Sequence, residues 1–324
     1  MSNNLLLSVM IPCYNRADLL AEALQSVMSQ YIENLMEVWV VDDCSTKDNP
    51  EEVVNKYGRG LVKFFKQEQN VGQIKNLNKC IDLANGELIH ILHCDDRVLP
   101  GFYTSILEAY EQSPSSGAFF TRNNYINHEG NLLSVSISLQ ENSGLIDHWF
   151  EKIATTQLIQ TPSMVVKKDV YKKLGGFNEK LSWTEDWEMW VRISKNYPVY
   201  YINKVLAEYR EANNSNSADS FITGRFIDDL KRVIEENYKH HQSVQIKNNS
   251  IRIYSEYIIN TILRLSKAKK ISKKTIFNLF IKYFQHKFSK KYLLFLLIQK
   301  AKIIIKRVVY KLLKLITIHR SENE

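Results

Sequence analysis

Leu88-Ile89-His90-Ile91-Leu92-His93-Cys94-Asp95-Asp96 is the stretch that decides the fold. A short, mostly apolar run bounded by polar residues reads as a buried strand, and this strand ends on two adjacent carboxylates. The same pattern stands earlier, where Val38-Trp39-Val40-Val41 closes on Asp42 and Asp43. A third acidic pair, Glu185 and Asp186, lies in Trp183-Thr184-Glu185-Asp186-Trp187, at the start of a predicted helix. In an open α/β sheet, ligands bind in the crevice beyond the carboxyl ends of the strands. Paired carboxylates there are costly unless they hold a cation, accept protons or grip a ligand. The pattern implies a metal-assisted enzyme acting on a phosphate-bearing substrate.

Outward from these stretches, strands and helices alternate. Leu5 to Ile11 reads as a first strand ended by Pro12, and Asp18 as the cap of a helix from about Leu19 to Gln30. Strands follow at Val38–Val41, Leu61–Phe65 and Leu88–Leu92, with helices carrying Val53 and Val54, and over Gly72–Ala84. Further elements are read at Phe102–Gln112 (helix), Ala118–Thr121 (strand), Lys168–Leu174 (helix), Trp183–Asn196 (helix), Val199–Ile202 and Val205–Tyr209 (strands). Residues 123–160 give little, and Asn213–Ser220 reads as a polar loop. The order implies an α/β fold, Rossmann-like, with a mostly parallel central sheet flanked by helices. From Phe221 the pattern is helical. The expected division is a domain over 1–218 and a helical, basic, amphipathic region over 219–324.

The 324-residue chain carries 43 Lys and Arg against 35 Asp and Glu. Residues 264–320 hold 17 of the basic residues and no acid, which leaves an acidic main body. From Lys300 to Ile316, Ala301, Ile304, Ile305, Val308, Leu312 and Leu315 share one helical face, with lysines and Arg307 over the other. That pattern suits a helix lying on an anionic membrane surface; a packed hairpin with a solvated basic rim is the alternative. No nucleic-acid module is recognisable, no secretory signal opens the chain, and the apolar run Tyr292–Ile298 is far short of the roughly 20 residues of a membrane span. The expected location is cytoplasmic, peripheral on the inner face of the cell membrane. Cys13, Cys44, Cys80 and Cys94 form no C-x-x-C pair and read as reduced thiols. No G-x-G-x-x-G is present, so a dinucleotide site is unsupported.

Several stretches in order resemble glycosyltransferase family 2, whose catalytic domain has the GT-A nucleotide-sugar fold. They are Ser8-Val9-Met10-Ile11-Pro12-Cys13-Tyr14-Asn15-Arg16, Val40-Val41-Asp42-Asp43-Cys44-Ser45, Asn70-Val71-Gly72, Asn76-Leu77-Asn78, Ala84-Asn85-Gly86-Glu87, Asp95-Asp96, Gly175-Gly176-Phe177, Glu185-Asp186-Trp187 and Tyr209-Arg210. The resemblance implies an inverting transfer from a nucleoside-diphosphate sugar, UDP-linked by preference, to a hydroxyl of a glycan or lipid-linked acceptor in surface polysaccharide synthesis. It places Asp43 on the N–H of a uracil-type base, Asp42 near the ribose, and Pro12, Tyr14, Arg16 and Asn76 around the same pocket. A carboxylate, acceptor-only when ionised, matches an imide donor.

Asp95-Asp96 corresponds to the family's metal motif. Asp96 is the direct ligand of Mn2+ or Mg2+, and Asp95 a ribose or sugar contact within metal reach; His93 reads as a core histidine. Hard oxygen ligands suit a cation that neutralises a diphosphate. Asp186 corresponds to the catalytic base, with Glu185 as runner-up. Trp183 is either a sugar-stacking ring or a core residue. Gly176 either lets backbone approach the donor sugar or belongs to a plain helix-ending turn. One departure stands out: many relatives continue Tyr-Arg-x-His, and Ala212 occupies the histidine position here. Two other readings remain: a catalytically silent nucleotide-sugar-binding scaffold and a nucleotidyltransferase.

Overall fold

The computed structural model describes residues 5–211, 216–267 and 271–286. Ala212 and the amphipathic stretch from Lys300 to Ile316 lie outside the described residues. The first half follows the alternation read from the sequence: β1 (Leu7–Cys13), α1 (Ala17–Met28), β2 (Met36–Asp42), α2 (Pro50–Tyr57), β3 (Val62–Lys66), α3 (Gln73–Leu83) and β4 (Leu88–Ile91). Then come β5 (Arg97–Val98), α4 (Phe102–Gln112), β6 (Ala118–Ile126), β7 (Leu132–Val135), β8 (Gly144–Leu145) and α5 (Trp149–Thr155). They are followed by β9 (Met164–Lys167), α6 (Lys168–Leu174), α7 (Glu185–Asn196) and β10 (Val199–Arg210). The helices α8 (Asn216–Thr223), α9 (Arg225–His241), α10 (Val244–Lys267) and α11 (Lys273–Gln285) complete the described chain.

The strands form one sheet in the order β3-β2-β1-β4-β9-β6-β10-β5, with β7 paired to β6 and β8 to β10. β3, β2, β1 and β4 are parallel neighbours, as expected. Beyond β4 the sheet is mixed. β9 runs antiparallel to both its neighbours, β4 and β6, and β5, β7 and β8 are antiparallel additions.

β1 is the middle of the parallel block. All its residues but Pro12 are buried, as the covered faces of a parallel sheet demand. Its register sets Cys13 beside Asp42 of β2 and Met10 beside Ile91 of β4. The chain moves outward from β1 to β2 and β3, then returns to β4 on the other side. The loops after β1 and β4 therefore diverge, which makes the crevice of a topological switch point.

Apolar side chains fill both faces of the sheet. Leu20 and Leu24 of α1 join Phe102 and Ile106 of α4 on one side. On the other, Leu77 of α3, Trp187 of α7, Phe226 and Leu230 of α9 and Ile258 of α10 share a single core. Phe226, Ile227, Leu230, Val233 and Ile234 are each at most 1% exposed. At about 1.5–3 kcal/mol per fully buried large apolar side chain, α9 is bound firmly to the α/β body.

Three local expectations need correction. Asp18 does not cap α1: the helix makes no side-chain cap bond at its start, and the Ala17 N–H donates instead to Asp48 Oδ2 at 2.8 Å. Residues 216–220, read as loop, begin α8. The two short strands near 199–209 are one strand, β10, with register shifts between Ile202 and Ala207.

Candidate active site

The loop after β1 is tied to the loop after β2. Asn15 takes the left-handed conformation (φ 52°), and its Oδ1 accepts the N–H groups of Thr46 and Lys47, both at 2.9 Å. Tyr14 is thereby left 44% exposed, and Pro12 and Arg16 are partly exposed beside it. Asp42 is buried, and both its oxygens accept from Ser45, through the N–H at 3.1 Å and the hydroxyl at 2.5 Å. It shapes the turn rather than facing open space. Asp43, also buried, accepts the N–H groups of Val71 at 2.8 Å and Gly72 at 3.0 Å. Burial raises its pKa despite those bonds. Asn76 is used internally: its amide donates to the Val41 carbonyl at 2.9 Å and accepts from Gln67. It fixes α3 under the end of β2.

The turn after β4 gathers His93, Asp95 and Asp96, with one ligand atom from each within 4.8 Å of the others. Asp96 is 1% exposed. Its Oδ1 accepts the Arg210 N–H at 2.8 Å. Its Oδ2 is buried with no hydrogen-bond partner and lies 3.9 Å from His93 Nδ1. Burial, then the neighbouring Asp95 charge, pushes the Asp96 pKa well up. Burial pulls the His93 pKa down and favours the neutral, ligating imidazole. The Arg210 guanidinium does not point into this cluster: it holds the Asp95 carbonyl at 2.7 Å and Glu22 at 2.6 Å, and braces the turn from behind.

An imidazole, two carboxylates and an orphaned buried carboxylate oxygen fit a divalent cation with mixed oxygen and nitrogen ligation. His93, expected in the core, belongs to this cluster. The core histidine is His90, buried between Tyr103 and the Pro162 carbonyl.

α7 starts with the third acidic pair. Asp186 is half-buried. Its Oδ2 accepts from Gln157 at 2.8 Å and Thr161 at 3.4 Å, and its Oδ1 from the Trp187 N–H at 2.6 Å. Glu185 is buried, with Oε1 on Gln73 at 3.0 Å and Oε2 unpartnered. Burial pushes the pKa of both carboxyls up, and for Glu185 the Asp186 charge adds to it. The helix N-terminus favours carboxylates, but desolvation outweighs it.

Gly176 and Trp183 lie close by, and each has a packing role. A Cβ on Gly176 would stand 2.3 Å from Asn78 Oδ1. Asn78 is pinned there by the Phe177 N–H at 2.7 Å and carbonyl at 3.0 Å. The glycine thus admits α3 against this turn. The Trp183 ring packs on Phe221, Phe226 and Tyr257 of the C-terminal helices, which is the core role.

Sequence reading missed Gln157, in the stretch 123–160 that gave no pattern, and Thr161 just beyond it. It also missed Asp229 on α9, whose carboxylate takes the backbone of residues 182–184. Its only signal was an acid on the apolar stripe of an amphipathic helix.

Residues 8–175, more than half the chain, match the sequence profile of Glycosyl transferase family 2. The chain belongs to this family. An uncharacterized glycosyltransferase of Methanocaldococcus jannaschii is 29% identical over 215 residues, 65% of this chain and 72% of that one. Chondroitin synthase of Escherichia coli is 28% identical over 200 residues, 62% of this chain but 28% of that longer protein. Among solved structures, S. aureus TarS 1–349 in complex with UDP-GlcNAc superposes with a TM-score of 0.63 at 20% identity, over 78% of this chain and 71% of that one. A mannosyltransferase of Pyrobaculum calidifontis in complex with GDP-Man and Mn2+ gives 0.57 at 17% identity, over 89% and 82%. The fold of this family 2 member is therefore GT-A, and its activity is glycosyl transfer.

Proposed function

We propose that this glycosyltransferase is inverting and metal-dependent, and that it moves a sugar from a UDP-sugar to a hydroxyl of a glycan or lipid-linked acceptor. The observation that carries the reading is Asp96 Oδ2. This buried carboxylate oxygen has no partner beside His93 and Asp95, at the mouth of the switch-point crevice. Such a group is costly unless a ligand completes it. Asp96 and Asp95, with His93, would hold Mn2+ or Mg2+. When bound, the cation supplies neutralising charge for a diphosphate leaving group.

The remaining roles belong to side chains. Asp43 spends two acceptor sites on Val71 and Gly72 and keeps others for the imide N–H of a uracil-type base, since a carboxylate offers about four lone-pair sites. Asp42, through Ser45, shapes the ribose side, and Pro12, Tyr14 and Arg16 border it. Asp186 accepts the acceptor hydroxyl's proton as that oxygen attacks the anomeric carbon from the face opposite the diphosphate. The sugar passes through an oxocarbenium-like state. Gln157, Thr161 and the Trp187 N–H fix the orientation of the base. Its raised pKa brings it closer to neutrality, where a general base is most effective.

Neighbouring solved structures support a nucleotide-sugar donor: one holds UDP-GlcNAc, another GDP-Man with Mn2+. No described helix is long and apolar enough to cross a membrane. We place the enzyme peripherally on the inner membrane face through the basic segment 264–320, of which 264–267 and 271–286 are described.

A panel of UDP- and GDP-sugars, with and without Mn2+, tests the function by thermal shift and donor turnover. A Mn2+-dependent rise in Tm with one nucleotide and release of that nucleotide is the expected result. Metal-independent binding without turnover on any acceptor would favour a silent scaffold.

A further inference from the structure

We propose that Asp229, on the C-terminal helix α9, is a positioning residue for the catalytic segment that begins α7. This rests on the reading of Asp186 as the base. The Asp229 carboxylate is 2% exposed and collects one continuous stretch of main chain. Its Oδ2 accepts the N–H groups of Trp183 at 2.7 Å and of Ser182 and Thr184 at 3.1 Å. The Ser182 and Thr184 hydroxyls add bonds at 3.3 and 3.2 Å. Thr184 is the residue before α7, yet its hydroxyl caps nothing in its own helix, because it is committed to Asp229. Three successive N–H groups turned toward one buried anion form an anion-binding nest. Here the anion comes from the protein itself, 45 to 47 residues downstream.

The nest ends one residue before Glu185 and two before Asp186. The charge on Asp229 is itself held in place: Arg232 lies 3.8 Å away and bonds the Lys180 carbonyl, and Phe226, Ile227 and Leu230 bury the helix around it. α9 therefore fixes the start of α7 rigidly. A base displaced by about 1 Å loses on the order of 10²-fold in rate, so the clamp acts on chemistry as well as on stability.

The experiment is a cycle of Asp229→Asn, Asp186→Asn and the double variant in the full chain, read as kcat and donor KM. Asp229→Asn keeps size but loses the charge and one acceptor oxygen. The expected result is a kcat at least tenfold lower with donor KM within twofold of wild type, and a double variant no slower than Asp186→Asn alone. A wild-type kcat in Asp229→Asn, or losses that multiply in the double variant, overturns the proposal. If Asp186→Asn is itself fully active, the base assignment fails, which is a separate result. Should Asp229→Asn not fold, Thr184→Val removes a single donor at nearly constant shape. A severalfold fall in kcat at unchanged KM, restored by Thr184→Ser, then supports the clamp, and an unchanged kcat refutes it.

Discussion

Replacing Asp186 by Asn removes a charge at nearly constant volume, and the structure sets what should follow. A general base is worth about 10²–10⁴-fold in rate, which at 1.36 kcal/mol per decade is about 2.7–5.5 kcal/mol of transition-state stabilisation. The groups assigned to the donor lie on other loops, after β1, β2 and β4, so donor KM should stay within about threefold and the loss should fall on kcat.

Two pH measurements sharpen the test. Burial raises the Asp186 pKa, so the wild-type rate should fall on the acid side with a midpoint well above the ordinary carboxylate value of ~4. That midpoint belongs to the Glu185–Asp186 pair, and Asp186→Asn should remove it. For stability, the folded pKa lies above the unfolded one. The native state then binds the extra proton between the two values, and stability is lost as pH rises through the folded value. Asn carries no such ionisation cost but gives up one hydrogen bond, about 1 kcal/mol. Its Tm relative to wild type should therefore improve as pH rises. A kcat within threefold of wild type at every pH, with the acid limb intact, would refute the assignment. Loss of the limb in Glu185→Gln instead would exchange the two roles.

Asp96→Asn should abolish the Mn2+-dependent rise in Tm, and His93→Ala should weaken it severalfold. Saturation at 100 times Kd contributes about 2.7 kcal/mol to the wild type, so an undiminished shift in Asp96→Asn would place the metal elsewhere. Gly176→Ala sets a Cβ against Asn78 Oδ1, which Phe177 holds on both sides. It should cost about 1–3 kcal/mol in urea unfolding, and Asn78→Ala should relieve part of the clash in the double variant. Glu37 is buried, which alone would raise its pKa, yet bonds from Ser8, Trp39, Asn85 and Lys63 bring it down to about 2. Its stabilisation is present above its ordinary value and lost as pH falls toward 2. Glu37→Gln should cost about 1–3 kcal/mol at neutral pH, and the gap from wild type should close in acid when followed by circular dichroism.

The parallel block was legible because each of its strands carries its own signal. Leu7–Cys13, Met36–Asp42 and Leu88–Ile91 are almost wholly buried runs, and their apolar residues stand together in the sequence. The antiparallel half was not. β7 is a four-residue strand whose Leu132, Leu133 and Val135 are exposed, so its apolar residues do not mark a buried face, and β8 is only two residues long. The acids at the strand ends were visible for the same local reason. Their partners were not, because a side chain such as Gln157 becomes a contact of Asp186 only through packing of α5 and α7. His93 shows the limit of reading by type. His90 and His93 alternate with similar apolar neighbours, and only the end of β4 at Ile91 separates the buried one from the one that turns toward Asp96.

The segment 182–186 draws hydrogen bonds from three separate parts of the chain. Gln73 of α3 meets Glu185, Gln157 and Thr161 meet Asp186, and Asp229 of α9 takes the preceding backbone. Tyr254 of α10 in turn accepts the Gln157 N–H at 3.0 Å. Two adjacent, desolvated carboxyls are a cost to folding that no single neighbour offsets. The donors come from the α/β body, through Gln73, Gln157, Thr161 and the Trp187 N–H, while the C-terminal helices supply acceptors, Asp229 and Tyr254, that hold the backbone around the pair. A division of the chain near residue 218 would cut through that convergence. Helices α9 and α10 share one core with α3 and α7 and bond the backbone of Trp183 and of Gln157.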